Sequence, residues 1–444
     1  MTEGRPSSLI LTFALPLMVG NVFQQLYTVV DTMVVGKFLG VGALAALGAV
    51  DWLTWMMLGI VQGFTQGFAI PMAQHFGAKR YDRLCRTIGA SVLLAVVSSL
   101  ALVLAGQLGA RPILRLLQTP DDIMAGSLTY VRIAFAGIPV IMAFNLLACL
   151  LRALGDGKTP LAAMVVASVT NIALDMLFVM VFGWGIAGAA IATVIAQGVS
   201  ALFCLRRVKR IEFLRLEPAD LRLEDGLGRR LMALGAPMAF QNCIIAVGGM
   251  ILQSIVNRFG VLFIAGYTAA NKLYGLLELA ATSYGYAMIT YVGQNLGAGQ
   301  TGRIRRGVRD ALIIALVTSL VIAGAMLTLG KIFLSGFISG TAEEVAQTMG
   351  TAYTYLAVMS VCLPILYLLH VVRSALQGMG NTVLPMVSGV VEFFMRTGVA
   401  LILTRFIGGA GVFYAEVSAW LGADVVLVTS YFHMVRKLPP DKGE

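Results

Sequence analysis

About twelve long apolar segments, separated by short polar loops, constrain the fold of this chain more than any other feature. Their apolar cores lie near residues 9–35, 42–72, 87–108, 127–151, 160–182, 186–205, 230–257, 261–290, 311–334, 347–371, 383–404 and 411–435. Each is long enough for a helix to cross the bilayer. Only 12% of the 444 residues are charged and 58% are hydrophobic, which excludes a soluble globular protein. The sequence therefore predicts an all-α polytopic membrane protein with about 12 transmembrane helices.

Scattered cysteines and histidines argue against metal or redox chemistry. The five cysteines stand singly with no CxxC pair, and His75, His370 and His433 are far apart in the sequence. No GxxxxGK[ST] motif for a nucleotide is present. We therefore expect no enzyme activity, no cofactor or metal centre, and neither a nucleic acid nor a nucleotide as partner.

Basic residues are distributed unequally between alternate loops. With the N-terminus inside, about 23 Lys and Arg residues lie on the cytoplasmic side and about six lie outside. The net charge of +10 then reflects loops that face anionic lipid. The N-terminal MTEGRPSS does not resemble a removable leader, so we expect the first span to remain. This pattern predicts a multi-pass protein of the cytoplasmic (inner) membrane with both termini cytoplasmic.

The two halves of the chain resemble each other. Pro16 and Asn21 are echoed by Pro237 and Asn242, AQHFGAKR by GQNLGAGQ, and LRALGDGKTPLAAM by LQGMGNTVLPMVSG, each about 220 residues later. We predict two pseudo-symmetric six-helix lobes, 1–205 and 230–444, joined by a cytoplasmic linker, 206–229, that includes an interfacial helix. Because each lobe has an even number of spans, the axis relating them should follow the membrane normal, with the pathway between the lobes.

Ionisable residues occur inside the predicted spans, where lipid does not tolerate them. They are Asp31, Asp51, Arg132, Asp175, Lys272, Glu278, Glu392, Arg396, Glu416 and Asp424. Intramembrane charges usually face a protein interior or a water-filled cavity and mark a functional pathway. Their number predicts a transport protein and not a passive scaffold.

Four polar residues of the first half are expected to meet at one depth. Asp31 lies 15 residues after Pro16 and Asp175 lies 15 after Pro160, so each is roughly 22 Å along its helix. Asn171 shares a helix face with Asp175, and Thr193 enters the sixth span to a similar level. Such a set suits a monovalent cation or a shared proton. The alternatives are that Asp31 caps its helix and that Asn171 and Asp175 bond neighbouring backbone.

In the second half the corresponding helix carries different charges. Glu392 and Arg396 are four residues apart, so they either neutralise each other or serve gating or substrate contact. Lys272 and Glu278 face different directions and each needs another partner, while Asp51 aligns with Asn271 of the other half. These residues and Asn21 are possible substrate or gating positions; the sequence assigns no partner to Glu416 or Asp424.

Together, these motifs resemble the multidrug and toxic compound extrusion (MATE) transporters over essentially the whole chain. Asn171 and Asp175 in the fifth span are typical of the DinF-like branch. The resemblance implies a two-lobed exporter that alternates access and is driven by H+ or Na+. Asp31, Asn171, Asp175 and Thr193 correspond by position to the first-lobe cation site, and Pro16 to the bending point of the first helix. The seventh span, 231–258, lacks the Glu of the NorM-like branch.

The sequence thus favours a monomeric antiporter that exports amphipathic or cationic drug-like molecules across a lipid bilayer. One alternative is a lipid or lipid-linked oligosaccharide flippase of the same wider superfamily, in which a strongly cationic cavity is expected. Another is a membrane acyl or glycosyl transferase, which requires a clustered catalytic set that this sequence lacks. The choice between H+ and Na+ stays open.

Overall fold

A computed structural model describes residues 1–214, 217–224, 226–338 and 341–438 of the chain. Arg215 and Lys442, two of the 23 basic residues expected on the cytoplasmic side, lie outside the described residues. The helices are α1 (Pro6–Leu39), α2 (Val41–Gly77), α3 (Tyr81–Leu116), α4 (Asp121–Ala136), α5 (Ile138–Ala153), α6 (Lys158–Asp175), α7 (Gly185–Val208), α8 (Leu227–Val256), α9 (Val261–Gly297), α10 (Thr301–Ser335), α11 (Ala342–Val361), α12 (Leu363–Gly378), α13 (Val383–Ile407) and α14 (Ala410–Arg436). The described ranges contain no strand, which confirms the predicted fold class.

Every predicted span is helical, although not every one is a single apolar helix. Nine helices in the described ranges are long and apolar enough to cross a membrane, and two bent pairs raise the number to eleven. The remaining predicted span is α9, a 37-residue helix that does not meet this test. Polar residues such as Asn271, Lys272 and Glu278 interrupt its apolar sequence.

Two predicted spans are bent, which the hydropathy pattern did not indicate. The fourth consists of α4 and α5, which meet at 48°, and the tenth consists of α11 and α12, which meet at 49°. Pro139 and Pro364 lie in the first turn after each break. A proline has no amide hydrogen and crowds the preceding turn, so each bend has the same local cause.

The described residues of the predicted linker do not form the interfacial helix expected above. Between Val208 and Leu227 the described residues form turns, because Pro218 and four acidic residues, Glu212, Glu217, Asp220 and Glu224, interrupt any continuous apolar face. Phe213 instead lies against Phe76 and Tyr81, with ring centroids 5.9 and 4.7 Å apart. This segment therefore packs on the ends of α2 and α3.

The chain forms two compact units. One contains Leu15–Ala239, and the other contains Met1–Ala14 together with the chain from Phe240 onward. The boundaries fall beside Pro16 and Pro237, inside α1 and α8. In the second unit the N-terminal segment is bound by hydrogen bonds from the amino group of Met1 to Gln294 Oε1 (2.8 Å) and from Arg303 Nη2 to the carbonyl of Gly4 (3.0 Å).

Within Leu15–Ala239, α2 and the start of α8 are in close backbone contact. A Cβ on Gly63 would lie 2.3 Å from the Ala239 nitrogen, and one on Gly67 would lie 2.4 Å from Gly235 Cα. Both glycines are therefore required for this helix pair to approach. The main apolar core of the unit surrounds buried side chains such as Phe68 and Leu150.

Candidate functional site

Four polar side chains predicted from the first half of the chain lie on three helices of one unit. Asp31 is buried in α1, with 8% of its surface exposed, and the helix continues for two turns beyond it. Asn171 and Asp175 occupy the last turns of α6, at 1% and 0% exposure. Thr193 is half-buried in α7. The burial of Asp31 inside α1 excludes its interpretation as a cap at the outer interface.

Contacts between these side chains join α1, α6 and α7. The carboxyl groups of Asp31 and Asp175 are near enough to interact directly. Asn171 Nδ2 donates a hydrogen bond to Thr193 Oγ1 at 3.3 Å, and Thr193 Oγ1 donates to the carbonyl of Ala189 at 3.1 Å. The alternative in which Asn171 bonds only neighbouring backbone is therefore wrong.

Hydrogen-bond acceptors without donors distinguish this site. Four buried oxygen atoms receive no hydrogen bond within the described residues, namely Asp31 Oδ1, Asn171 Oδ1, Asp175 Oδ1 and Asp175 Oδ2. A buried carboxylate without a donor costs several kcal/mol, so such groups are normally paired or neutralised. An acceptor-only cluster of this kind can be satisfied by a proton shared between the carboxyls or by a hard cation bound to oxygen.

A π-helical turn, which the sequence pattern does not predict, directly follows Asp175. It spans Met176–Val181 and is followed by Gly183 and Gly185, both with positive φ angles. Short π-helical segments inside helices are frequent at functional sites. Gly183 and Gly185 are the sequence feature that could have indicated an irregular helix end here, because glycine adopts positive φ angles that other residues rarely adopt.

Pro16 lies inside α1 without ending it. A proline in a helix interior removes one backbone hydrogen bond, so this position is suited to bending. Asn21 lies one turn further and is half-buried. Asp51 in α2 is exposed.

A buried chain of alternating charges connects α12, α13 and α14 in the other unit. Glu392 accepts from Arg373 at 2.8 Å and from Arg396 at 2.9 Å, and Arg396 also contacts Glu416 at 3.0 Å. The ion pair between Glu392 and Arg396 that their spacing allows is present, and Glu392 is shared with Arg373. Arg373, which lies beyond the predicted tenth span and is one of the 23 basic residues counted on the cytoplasmic side, is instead buried within α12. The predicted tenth span ended at residue 371, only two residues before Arg373.

Among the described residues, Lys272, Glu278 and Asp424 form no ion pair with a member of either cluster. Lys272 is exposed on α9. Glu278 Oε1 lies 3.6 Å from His370 Nε2, which supplies the partner that the sequence could not name. Asp424 is buried in α14.

Comparison with known proteins identifies the family. The MatE family model matches residues 16–177 and 237–402, so one model covers each half of the chain, as the internal repeat predicts. A probable multidrug resistance protein, YpnP of Bacillus subtilis, is 31% identical over 68% of this chain and 68% of its own. Another from the same organism, YoeA, is 26% identical over 96% and 93%. DNA damage-inducible protein F of Escherichia coli is 26% identical over 69% and 68%.

Solved structures show the same fold. A MOP superfamily transporter from Pyrococcus furiosus superposes with a TM-score of 0.91 over 98% of this chain and 97% of its own, at 21% identity. An outward-facing multidrug resistance MATE family transporter superposes with a TM-score of 0.90, also at 21% identity. The described helices, the repeated family match and these relatives agree, so this chain belongs to the MatE family, the MATE transporters, and is a multi-pass membrane transporter and not an enzyme.

Proposed function

We propose that this protein is an antiporter that exports amphipathic or cationic organic compounds in exchange for H+ or Na+. Several of its relatives are named as multidrug resistance proteins, which supports the substrate class. The observation that carries the proposal is the acceptor-only cluster of Asp31, Asn171 and Asp175. A site of buried oxygens without donors gains stability when a positive species enters, which is the property that a coupling site needs.

Coupling in this proposal acts through the shape of the first helix. Asp31 is on α1 beyond Pro16, whereas Asp175 is on α6. When the cation leaves, the two carboxylates repel each other. The conformation that holds α1 against α6 is therefore less stable with the site empty than with the site occupied. Pro16 offers the point at which α1 can bend in response. Substrate and cation then favour different conformations, which is the thermodynamic requirement for exchange.

The two ions make different demands on the same residues. A proton needs only the pair of carboxyls, Asp31 and Asp175. A sodium ion takes several oxygen ligands, so it would also use the amide oxygen of Asn171 and the hydroxyl of Thr193. No organic cofactor or metal centre enters the proposal.

We place the protein as a monomer in the cytoplasmic membrane with both termini in the cytoplasm. The excess of basic residues in alternate loops supports this orientation. Labelling of single cysteines introduced near Arg80 and near Arg111 with an impermeant thiol reagent in intact cells tests it. We expect reaction near Arg111 only, and the reverse pattern would contradict the orientation.

Substitution of the acidic pair tests the proposed coupling. Asp31→Asn and Asp175→Asn remove the charge at nearly constant volume, and each should abolish dye efflux from energised vesicles. Asp121→Asn, at the exposed start of α4, is the matched control and should leave efflux unchanged. Efflux at the wild-type rate by Asp31→Asn, in protein of normal abundance and helicity, would contradict the assignment.

A further inference from the structure

The charge chain that connects α12, α13 and α14 has no net charge. Arg373, Glu392, Arg396 and Glu416 alternate in sign, and every contact between neighbours is 3.1 Å or shorter. Two positive and two negative charges therefore neutralise each other in a buried region. Because these four charges already pair with one another, any other charged side chain buried next to them has no counterion of its own.

Asp424 is such a further charge. It lies on α14 with 6% of its surface exposed, within electrostatic range of Arg373 and Glu392. Neither of its carboxyl oxygens has a hydrogen-bond partner within the described residues. The Nε of Arg373 is likewise buried without an acceptor. One unused donor and two unused acceptors therefore lie in the same buried region.

Other titratable groups on α11, α12 and α13, the helices that pack against α14, are exposed or have partners of their own. Glu343 and Glu344 of α11 and Arg405 of α13 are exposed, and the hydroxyl of Tyr367 of α12 donates to the carbonyl of Leu277 at 2.9 Å. His370 of α12 faces Glu278 of α9, and the hydroxyl of Tyr355 of α11 donates to Asn271 Oδ1 at 3.2 Å. On α13, Glu392 and Arg396 belong to the charge chain. Asp424 is therefore neutralised in this conformation neither by an ion pair nor by a hydrogen bond.

From this geometry we infer that Asp424 is a second proton-binding site, separate from the Asp31 cluster, and that Arg373 is its partner after the proton leaves. A buried carboxyl with no donor is stable as the neutral acid. A proton is favoured over a metal cation because the guanidinium of Arg373 repels a cation and because Glu392, the other carboxylate within electrostatic range, is already paired with Arg373 and Arg396. When the proton passes to water, the carboxylate accepts from the unused Nε–H of Arg373, which ties α14 to α12.

Infrared difference spectroscopy of the purified wild-type protein tests this inference directly. The carbonyl stretch of a protonated carboxylic acid is separate from the amide bands, and it is titrated with pH. We expect Asp424→Asn to lose one such band and Asp424→Glu to move it without removing it. The Asp31→Asn/Asp175→Asn double variant should retain that band. Helix content by circular dichroism and a single elution peak establish that each variant is folded.

An unchanged spectrum in folded Asp424→Asn would overturn the inference, as would loss of the same band in the double variant. The result is independent of drug transport. If Asp31→Asn keeps coupled efflux while Asp424→Asn loses its band, the proposed coupling site fails and the Asp424 site stands.

Discussion

The side-chain amide of Asn171 donates to the hydroxyl of Thr193 at 3.3 Å, and the same hydroxyl donates to the carbonyl of Ala189 at 3.1 Å. This relay uses the amide nitrogen of Asn171 and leaves its oxygen buried without a hydrogen-bond donor. Thr193 therefore orients an oxygen that a bound Na+ would use.

Replacement of Thr193 by valine tests this orienting role. Valine keeps the shape of threonine but cannot accept from Asn171, and a hydrogen bond of this kind contributes about 0.5–1.5 kcal/mol. Na+ affinity should fall about two- to tenfold, seen as a higher Na+ concentration for half-maximal efflux. Thr193→Ser keeps the hydroxyl and should stay near the wild-type value. Equal behaviour of the two variants in Na+-driven efflux would contradict the relay.

The charge chain of the other unit predicts a large stability effect at one arginine. Arg396→Met leaves Glu416 buried without its partner, and loss of one member of a buried pair costs about 3–5 kcal/mol. The matched control is Arg86→Met, which removes an exposed pair with Glu224 and should cost less than about 1 kcal/mol. Thermal unfolding in detergent, followed by circular dichroism, compares the two. Similar unfolding midpoints for Arg396→Met and Arg86→Met would show that the charge chain contributes little to stability.

Two glycines of α2, Gly63 and Gly48, should have opposite effects on stability when each is replaced by alanine. Gly63→Ala places a Cβ 2.3 Å from the Ala239 backbone, so α2 and α8 must separate and the folded yield should fall. At Gly48, in the same helix, nothing lies within 4 Å of an added Cβ. Gly48→Ala should raise the unfolding midpoint, since alanine is favoured in helices by about 1 kcal/mol. Monodisperse yield and thermal midpoint are the readouts, and equal loss in both variants would contradict the packing.

Asp156, in the loop before α6, predicts a pH-dependent contribution to stability. Partial burial would by itself raise the pKa of this carboxyl, but hydrogen bonds from Thr159 and from Arg207 hold the pKa below its ordinary value. A carboxyl with a depressed pKa in the folded state stabilises the fold above the unfolded pKa of about 3.9, and this contribution is lost as pH falls through the folded pKa.

Asp156→Asn should therefore unfold at a lower temperature than wild type at neutral pH. The difference should shrink as pH falls from about 5 to about 3. Thr159→Val removes one donor and should reproduce part of the effect. A difference that grows towards low pH would contradict this account.

The proximity of Asp31 and Asp175 could be predicted by counting residues along their helices. The rise per residue is constant, so Asp31 and Asp175, at equal distances from Pro16 and Pro160, were expected at one depth. The repeat was also visible, because Gly and Pro motifs recur at a nearly fixed interval. These features depend on local geometry, which sequence spacing determines.

Partners set by tertiary packing could not be predicted in this way. Arg373 lies just past a hydropathy window, and only the packing of α12 against α13 brings it to Glu392. The contact of Glu416 with Arg396 likewise depends on how α14 packs on α13. The π-helical turn after Asp175 has no distinctive composition, apart from the glycines that follow it.

The central claim is that cation movement through the site of Asp31 and Asp175 drives efflux. The most direct measurement uses purified protein in liposomes, with a pH gradient or a Na+ gradient imposed in turn, and follows efflux of a fluorescent cationic dye. The account predicts efflux with at least one gradient, and none with either gradient in Asp31→Asn. Efflux with the pH gradient alone would identify a proton site, and efflux only with Na+ would identify an oxygen coordination shell that includes Asn171 and Thr193. Absence of efflux with both gradients across several dyes would contradict the account and favour a lipid flippase.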